Sequence, residues 1–472
     1  MNVLEKTGVR FEDELGLDLL EENGCSVDHD NMIVKFPPSI VEKCIRKAPS
    51  SFRLRARESD DDIILGGEVV YFTNSCGKQT VDLNTFEPQK PMKSDYIDFI
   101  KILDALPNCH LLSCYPYYGF KGVPSVMRIP EGVAQKIRYS TKPQYTCYSK
   151  DCEIFNIKMI QKTGGESLSC LTSSPPLTWD RNAVMQARRN INAGFPLDIW
   201  DGCSYGATGP ATFAGSVITS NAEILSMLVF IQLLDSGHRC KVADFSFPLN
   251  MRSGSPGFGQ IGTSINNAIF NQVWRRYGLP IGNHTPGYSS GKSLDFQVGS
   301  EKAINGIIAA LSGANVIEIQ GSISSEQTAH PVQAILDDDI AGMIGRFIEG
   351  EKISDETMAT DIINNIGPIP GNYLNTNHTR KYWKTEQFVS KTADRLTYSE
   401  WLKKGKKGIL DNAKKRKSKM LDQHEVSKPL TEEEVEAIET ILEEAGEYYY
   451  ERGLISDEEW EVYEGILESF KI

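Results

Sequence analysis

Residues 314–331 read ANVIEIQGSISSEQTAHP, and residues 196–210 read PLDIWDGCSYGATGP. Each is an apolar run that stops abruptly in small, acidic, amide and aromatic residues. A strand buried on both faces reads as such a run. A polar, glycine-containing loop behind it marks the catalytic face of a β/α barrel. Working outward, the same layout yields eight candidate strands: Val70–Asn74, His110–Tyr115, Gln144–Tyr148, Leu168–Thr172, Leu197–Trp200, Lys241–Phe245, Pro280–Asn283 and Asn315–Ile319. Amphipathic segments lie between them, and glycine-containing stops such as Ala193-Gly194, Tyr277-Gly278 and Ser312-Gly313 close several. Strands alternating with helices predict a parallel sheet, and eight units predict closure into an α/β (β/α)8 TIM barrel. An open doubly wound sheet is the rival. No GxGxxG or GxxxxGK[ST] follows the first strand, which weakens the nucleotide-binding form of that rival.

The flanks differ from this rhythm. Residues 1–68 read as an N-terminal helical/β extension, 69–395 as the barrel, and 396–472 as a helical C-terminal tail. TVDLNTFEPQK at 80–90 looks like an inserted hairpin, and residues 332–395 are expected to be mostly helical and to close the barrel. KKGKKGILDNAKKRKSK at 403–419 is basic. It reads first as a solvated helix face and otherwise as a docking surface for an acidic partner. The acidic tail behind it opens with a Thr431/Glu434 capping box and carries Val435, Ile438, Ile441 and Leu442 on one face, so it should pack rather than hang free. Such faces also suit self-association into a homo-oligomer.

The chain has 472 residues and a formal net charge of -13, which argues against nucleic acid as partner. Its ten cysteines all precede residue 241 and form no CxxC, the pattern of reduced thiols in a cytoplasmic protein. No signal-like segment opens the sequence. ILSMLVFIQLL at 224–234 is too short to span a bilayer and reads as a buried helix. No membrane association is expected.

Chemistry should sit where the strands end. The inventory there is Tyr115, Trp179, Trp200, Asp201, Tyr205, Phe245, His284, Tyr288, Glu318, Gln320 and His330. Aromatic rings and carboxylates with few Lys or Arg suit a cationic substrate. A quaternary ammonium has no proton to donate and is recognised by ring faces and nearby negative charge. A zinc site from His284 and His330 with Glu318 or Asp201 is conceivable, but no HxH, HExxH or CxxC supports it, and no metal is expected. Asp201 and Glu318 could also form the carboxylate pair of a barrel glycoside hydrolase. A non-catalytic quaternary-amine-binding protein is the third alternative. No GxSxG marks a nucleophilic serine.

Several stretches carry a family resemblance: LEKTGVRFEDELGLDLLEENGCSVD (4–28), KAPSSFRLRAR (47–57), SCGKQTVDLNTFEPQKP (75–91), SSGKSLDFQVGSEKA (289–303) and GANVIEIQGSISSEQTAHPVQAILDDDI (313–340). Over residues 1–395 the chain resembles the trimethylamine methyltransferase family, most of all its pyrrolysine-lacking branch of glycine betaine:corrinoid methyltransferases. The resemblance implies a β/α barrel. It implies transfer of a methyl group from a quaternary amine, with glycine betaine the leading candidate, to the Co(I) of a cobalamin on a cognate corrinoid protein. Dimethylglycine would be left, and no cofactor would be held tightly by the chain itself. On that reading Tyr115, Trp179, Trp200, Tyr205, Phe245 and Tyr288, with Asp201 and Glu318, enclose the ammonium head. His330, His284 and Gln320 are the expected donors to a betaine carboxylate. His330, Glu318 and Asp201 are the expected catalytic residues.

Overall fold

The computed structural model describes residues 1–468. Seven strands form one parallel sheet: β1 (Tyr71–Asn74), β2 (Gln144–Thr146), β3 (Ser167–Thr172), β4 (Leu197–Trp200), β5 (Cys240–Asp244), β6 (Ile281–Asn283) and β7 (Val316–Gln320). Their order is β1-β7-β6-β5-β4-β3-β2. The first strand in the chain thus pairs with the last, Ile317 opposite Phe72 and Glu318 opposite Thr73, so the sheet curls. The expected strand at His110–Tyr115 is not a strand. It touches both sheet edges through single parallel bridges, Thr73 with Leu111 and Leu112 with Gln144. Side chains stand in for its ladder. His110 Nδ1 accepts from the Phe72 amide at 3.0 Å, and Asn74 Oδ1 accepts from the Ser113 amide at 2.9 Å. Pro116 then removes a backbone donor.

Helices follow the strands: α1 (Lys93–Ala105), α2 (Arg128–Tyr139), α3 (Glu153–Thr163), α4 (Arg181–Ala193), α5 (Phe213–Leu234), α6 (Ile261–Tyr277), α7 (Phe296–Ser312) and α8 (Pro331–Glu349). Left-handed glycines at 194, 278 and 313 end α4, α6 and α7, a conformation that costs other residues strain. At 22 residues, α5 is longer than its apolar centre suggests. By length and composition it could cross a membrane, but 72% of its most apolar window is buried inside the protein. It serves as a core helix.

The N-terminal end of the sheet is plugged. A hairpin of Ser51–Leu54 and Ile63–Gly66 sends Phe52, Leu54, Ile63 and Leu65 against Leu111, Tyr145, Leu168 and Val316. The preceding residues give three strands of a four-stranded sheet, in which Val9–Phe11 runs parallel to the fourth, Thr178–Trp179, so the extension is joined to the loop after β3. The 80–90 segment is the hairpin expected, Thr80–Val81 against Pro88–Gln89.

Behind α8 the chain departs from expectation. No residue from 351 to 391 is buried, and these residues form an arm over the surface rather than closing the barrel. Its apolar residues are too scattered to make a core of their own. The basic helix α9 (Ile409–Gln423) packs on α8 and α1, with Arg416 reaching Asp338 at 3.3 Å. The helices α10 (Glu432–Glu451) and α11 (Asp457–Glu468) bury Ile438, Ile441, Leu442, Tyr449 and Tyr463 against α1–α3. The tail is therefore packed, as its apolar faces predict.

Candidate active site

Charged residues stand inside buried strands, among them Asp198 in LDIW of β4 and Lys241 in CKVAD of β5. Strand alternation turns both into the curl of the sheet. Lys241 Nζ lies 2.8 Å from Asp198 Oδ2, with neither side chain exposed. Tyr145 Oη of β2 and Trp200 Nε1 of β4 donate to that same oxygen, each at 2.5 Å. Burial alone would raise the Asp198 pKa, but Lys241 and His284 hold it below the usual carboxylate value. Burial keeps Lys241 below its ordinary value, although Asp198 pulls the other way.

His284 follows β6 and joins this pair to β7. Its Nδ1 is 2.8 Å from Glu318 Oε2, and its Nε2 is 3.4 Å from Lys241 Nζ. Nε2 also stands 3.6 Å from Asp198 Oδ2, so the imidazole lies between two carboxylates. Trp200 stacks on the imidazole at 3.8 Å and 23°. Gly282 makes this possible: a Cβ there would stand 2.2 Å from Lys241 Nζ.

Lys241 pairs with Asp198, and His284 stands between Asp198, at 3.6 Å, and Glu318, at 2.8 Å. Glu318 is 2% exposed, and its Oε1 has no hydrogen-bond partner; neither has Asp198 Oδ1. A buried carboxylate oxygen without a partner is costly unless a donor or a positive charge comes to it.

Aromatic rings continue from this point. Trp200 meets Phe245 at 5.8 Å, Phe245 meets Tyr288 at 5.8 Å, and Phe258 meets Tyr288 at 5.1 Å. Tyr115 packs edge-on to Tyr118 at 4.9 Å. Cys76 Sγ ties Tyr118 Oη, at 3.5 Å, to Tyr288 Oη, at 3.4 Å. Glu326 stands near Tyr118, and burial, with the Glu318 charge behind it, pushes its pKa up to about 7.

The expected residues divide. The structure links Trp200, Phe245, His284, Tyr288 and Glu318 into one constellation, with Tyr115 joined through Tyr118. Asp201 is adjacent, but both its oxygens are committed to the turn after β5. Oδ1 accepts from the Phe245 amide and Oδ2 from Ser246 Oγ, each at 2.8 Å. Tyr205 packs on Phe213 at 5.7 Å, its buried hydroxyl without a partner. Three residues lie apart from the constellation. Trp179 donates from Nε1 to the Glu223 carbonyl, 3.0 Å away, in the core between the N-terminal sheet and α5. Gln320 donates to the Asn108 carbonyl at 2.7 Å. His330 caps α8, its Nδ1 accepting from the Val332 amide at 3.0 Å. Burial, with Lys417 and Lys414 nearby, pushes its pKa down to about 3.

Asp198, Lys241 and Tyr145 were not expected. The signal was available: one charge inside a run that otherwise fits a buried parallel strand needs a buried partner. Among the described residues no three His, Cys, Asp or Glu side chains converge as a metal site would. All ten cysteines are free.

A curled parallel sheet carrying a buried aromatic and charged constellation at its C-terminal end defines an α/β enzyme site. The trimethylamine methyltransferase (MTTB) family profile matches residues 1–444, and the chain belongs to that family of methyltransferases. The chain is 28% identical over 484 residues to trimethylamine methyltransferase MttB of Desulfitobacterium hafniense (strain DSM 10664 / DCB-2), covering 96% of this chain and 93% of that protein. To the glycine betaine methyltransferase of Desulfitobacterium hafniense (strain Y51) it is 28% identical over 420 residues, 85% of each. Among solved structures, the monomethylamine methyltransferase MtmB of Methanosarcina barkeri superposes with a TM-score of 0.50 at 13% identity, over 86% of this chain and 85% of that one. That is a likeness of fold alone.

Proposed function

We propose that this methyltransferase moves a methyl group from a quaternary amine, with glycine betaine the leading substrate, to the reduced cobalt of a corrinoid on a partner protein. The observation that carries this reading is Glu318: buried, with one oxygen unpartnered and with Trp200, Phe245 and Tyr288 linked to it through His284 and one another. A quaternary ammonium would bring a permanent positive charge to that open oxygen, and it asks for no hydrogen bond in return. Asp201 and Glu318 fit a glycosidase pair less well, because both Asp201 oxygens are occupied within the fold.

The chemistry asked of these residues is modest. The C–N bond breaks with its electron pair passing to nitrogen, so the amine leaves neutral and needs no proton. Reduced cobalt on the partner supplies the nucleophile. The chain's own groups bind the cation, exclude water and aim one N-methyl outward. Orientation of this kind contributes several kcal/mol, up to about 7–11 in well-aligned cases. In this reading His284 positions Glu318, and Lys241 fixes His284.

We read the scaffold as a closed (β/α)8 barrel, residues 110–115 taking the eighth place, within 69–395. The parts 1–68 and 396–472 are its extension and tail. The backbone bonds His110 N to Phe72 O and Tyr145 N to Leu112 O, each 2.8 Å, support that closure. We also propose a cytoplasmic homo-oligomer with no tightly bound cofactor. Ten free thiols support the compartment, and exposed arm residues such as Ile369 and Leu374 support self-association.

The test is a panel of quaternary and tertiary amines with cob(I)alamin, followed by the spectral change to methylcobalamin. Glycine betaine should be turned over, yielding dimethylglycine. Glu318→Gln should lose about 100-fold in kcat/KM, equivalent to about 2.7 kcal/mol. Turnover of trimethylamine but of no quaternary amine would overturn the reading.

A further inference from the structure

The rim of the C-terminal face holds cations that the proposed chemistry does not use. Lys78, Lys90 and Arg128 line a cleft of about 340 Å³ together with Tyr118, the ring that also borders the aromatic constellation. Lys78 and Lys90 are exposed. The backbone beneath Lys78 is anchored: its amide donates to the Glu326 carbonyl at 3.1 Å, and the Gln79 amide donates to Gln327 at 3.0 Å. Gly77 allows that approach, since a Cβ would lie 2.4 Å from the Ala329 amide nitrogen. Arg128 is held by Gly119, where a Cβ would meet its Cγ at 2.5 Å, and its buried Nε has no partner.

The basic run of α9 extends this rim. Arg416 and Ala413 face inward, on Asp338 and the core. Lys414 and Lys417, three residues apart, lie near His330 at the start of α8, and Lys414 lies near Asp82 of the 80–90 hairpin. Among the described residues none of Lys78, Lys90, Arg128, Lys414 and Lys417 is in an ion pair. This is a chain whose net charge is -13. Unpaired cations gathered at one lip of an acidic protein raise a local positive potential there.

We propose that these five residues form the docking surface for an acidic face of the protein that carries the methyl acceptor. The inference rests on the proposed function. The surface borders the residues from which the methyl group would leave, so a partner seated on it brings its corrin to the barrel mouth. Rim charges of this kind act through encounter rate and salt dependence.

Two double variants test it in the full-length protein: Lys78→Glu with Lys90→Glu, and Lys414→Glu with Lys417→Glu. The probe is a recombinant, cobalamin-loaded corrinoid protein from the same genome, with free cob(I)alamin as the second acceptor. Binding of that protein is measured alongside turnover. Each pair should weaken binding about tenfold or more at low salt, flatten its ionic-strength dependence and slow transfer to the protein acceptor equally, leaving free cob(I)alamin unaffected. Unchanged binding in both variants overturns the proposal. So does an equal loss on free cob(I)alamin, which would place the cleft's action on the small molecules. A wild-type protein that binds the corrinoid protein but methylates neither acceptor fails the proposed function and leaves the docking surface standing.

Discussion

Val316 and Glu318 lie two residues apart on β7, on the same side of the pleat, yet they belong to opposite ends of the sheet. Val316 meets Phe52, Leu54, Ile63 and Leu65 in an apolar plug. Glu318 meets His284, and through it Lys241 and Asp198. The plug is held by area and shape, which tolerate exchange among residues of similar volume. The upper end is held by partners, and each buried charge there depends on all the others being present. The proposed site sits at the end whose stability is conditional.

The contrast is tested most severely by removing one charge from the upper end. Lys241→Met leaves Asp198 buried without its cation, and breaking such a pair costs about 3–5 kcal/mol. Denaturant unfolding should show that loss, and methyl transfer should vanish. Ile63→Val in the plug should cost only about 0.5–1.5 kcal/mol, with kcat within about twofold of wild type. Equal losses in the two variants would erase the distinction between the ends.

A smaller effect is expected at Gly282, where the added methyl of Gly282→Ala would stand 2.2 Å from Lys241 Nζ and 3.1 Å from His284 Nε2. Overpacking of this kind costs about 1–3 kcal/mol. Because the clash falls on the link between Lys241 and His284, kcat should fall more than KM changes. Wild-type kcat would mean that the Lys241–His284 contact is dispensable.

The pH dependence sharpens the comparison from another side. Glu223 and Glu326 are both pushed up to about 7, chiefly by burial. Between the unfolded value near 4.5 and the folded value, the native protein holds protons that the unfolded chain has lost. Stability should therefore decline as pH rises from about 4.5 through 7, the reverse of a salt-bridged carboxylate. Melting temperature measured over this range should fall in the wild type and flatten in Glu326→Gln. A rise instead would mean that Glu326 is ionised in a polar setting.

Much of the scaffold was legible because a strand buried on both faces has to be apolar, and eight such runs stand out from their helices. His110–Tyr115 misled because a side-chain imidazole and an amide replace ladder bonds there, and no run of residue types reports that substitution. Trp200, Phe245, His284, Tyr288 and Glu318, which the structure brings together, were singled out by lying at or near strand ends. Asp198 and Lys241 were passed over because each sits within a run whose apolar neighbours carry the strand signal. The C-terminal tail was readable from its capping box and its one-sided face. The surface arm was not, since a helical reading of its sequence does not say whether a face exists for it to pack on.

Trp179 brings out what strand-end position cannot say. The loop SSPPLTW does follow a strand, but it turns away to pair with Val9–Phe11, and that partner lies far off in the sequence. The indole is fully buried, with Nε1 shared between the Glu223 carbonyl and Ser226 Oγ. It belongs with the apolar plug in kind, though it lies nearer the other end of β3. Trp179→Phe should keep kcat/KM for glycine betaine within about twofold, and it should cost about 1–3 kcal/mol, because the two oxygens lose their shared donor. Wild-type stability with a sharp rise in KM would put the indole back in contact with substrate. It would also show that residues joined to neither Glu318 nor Tyr288 still reach the bound amine.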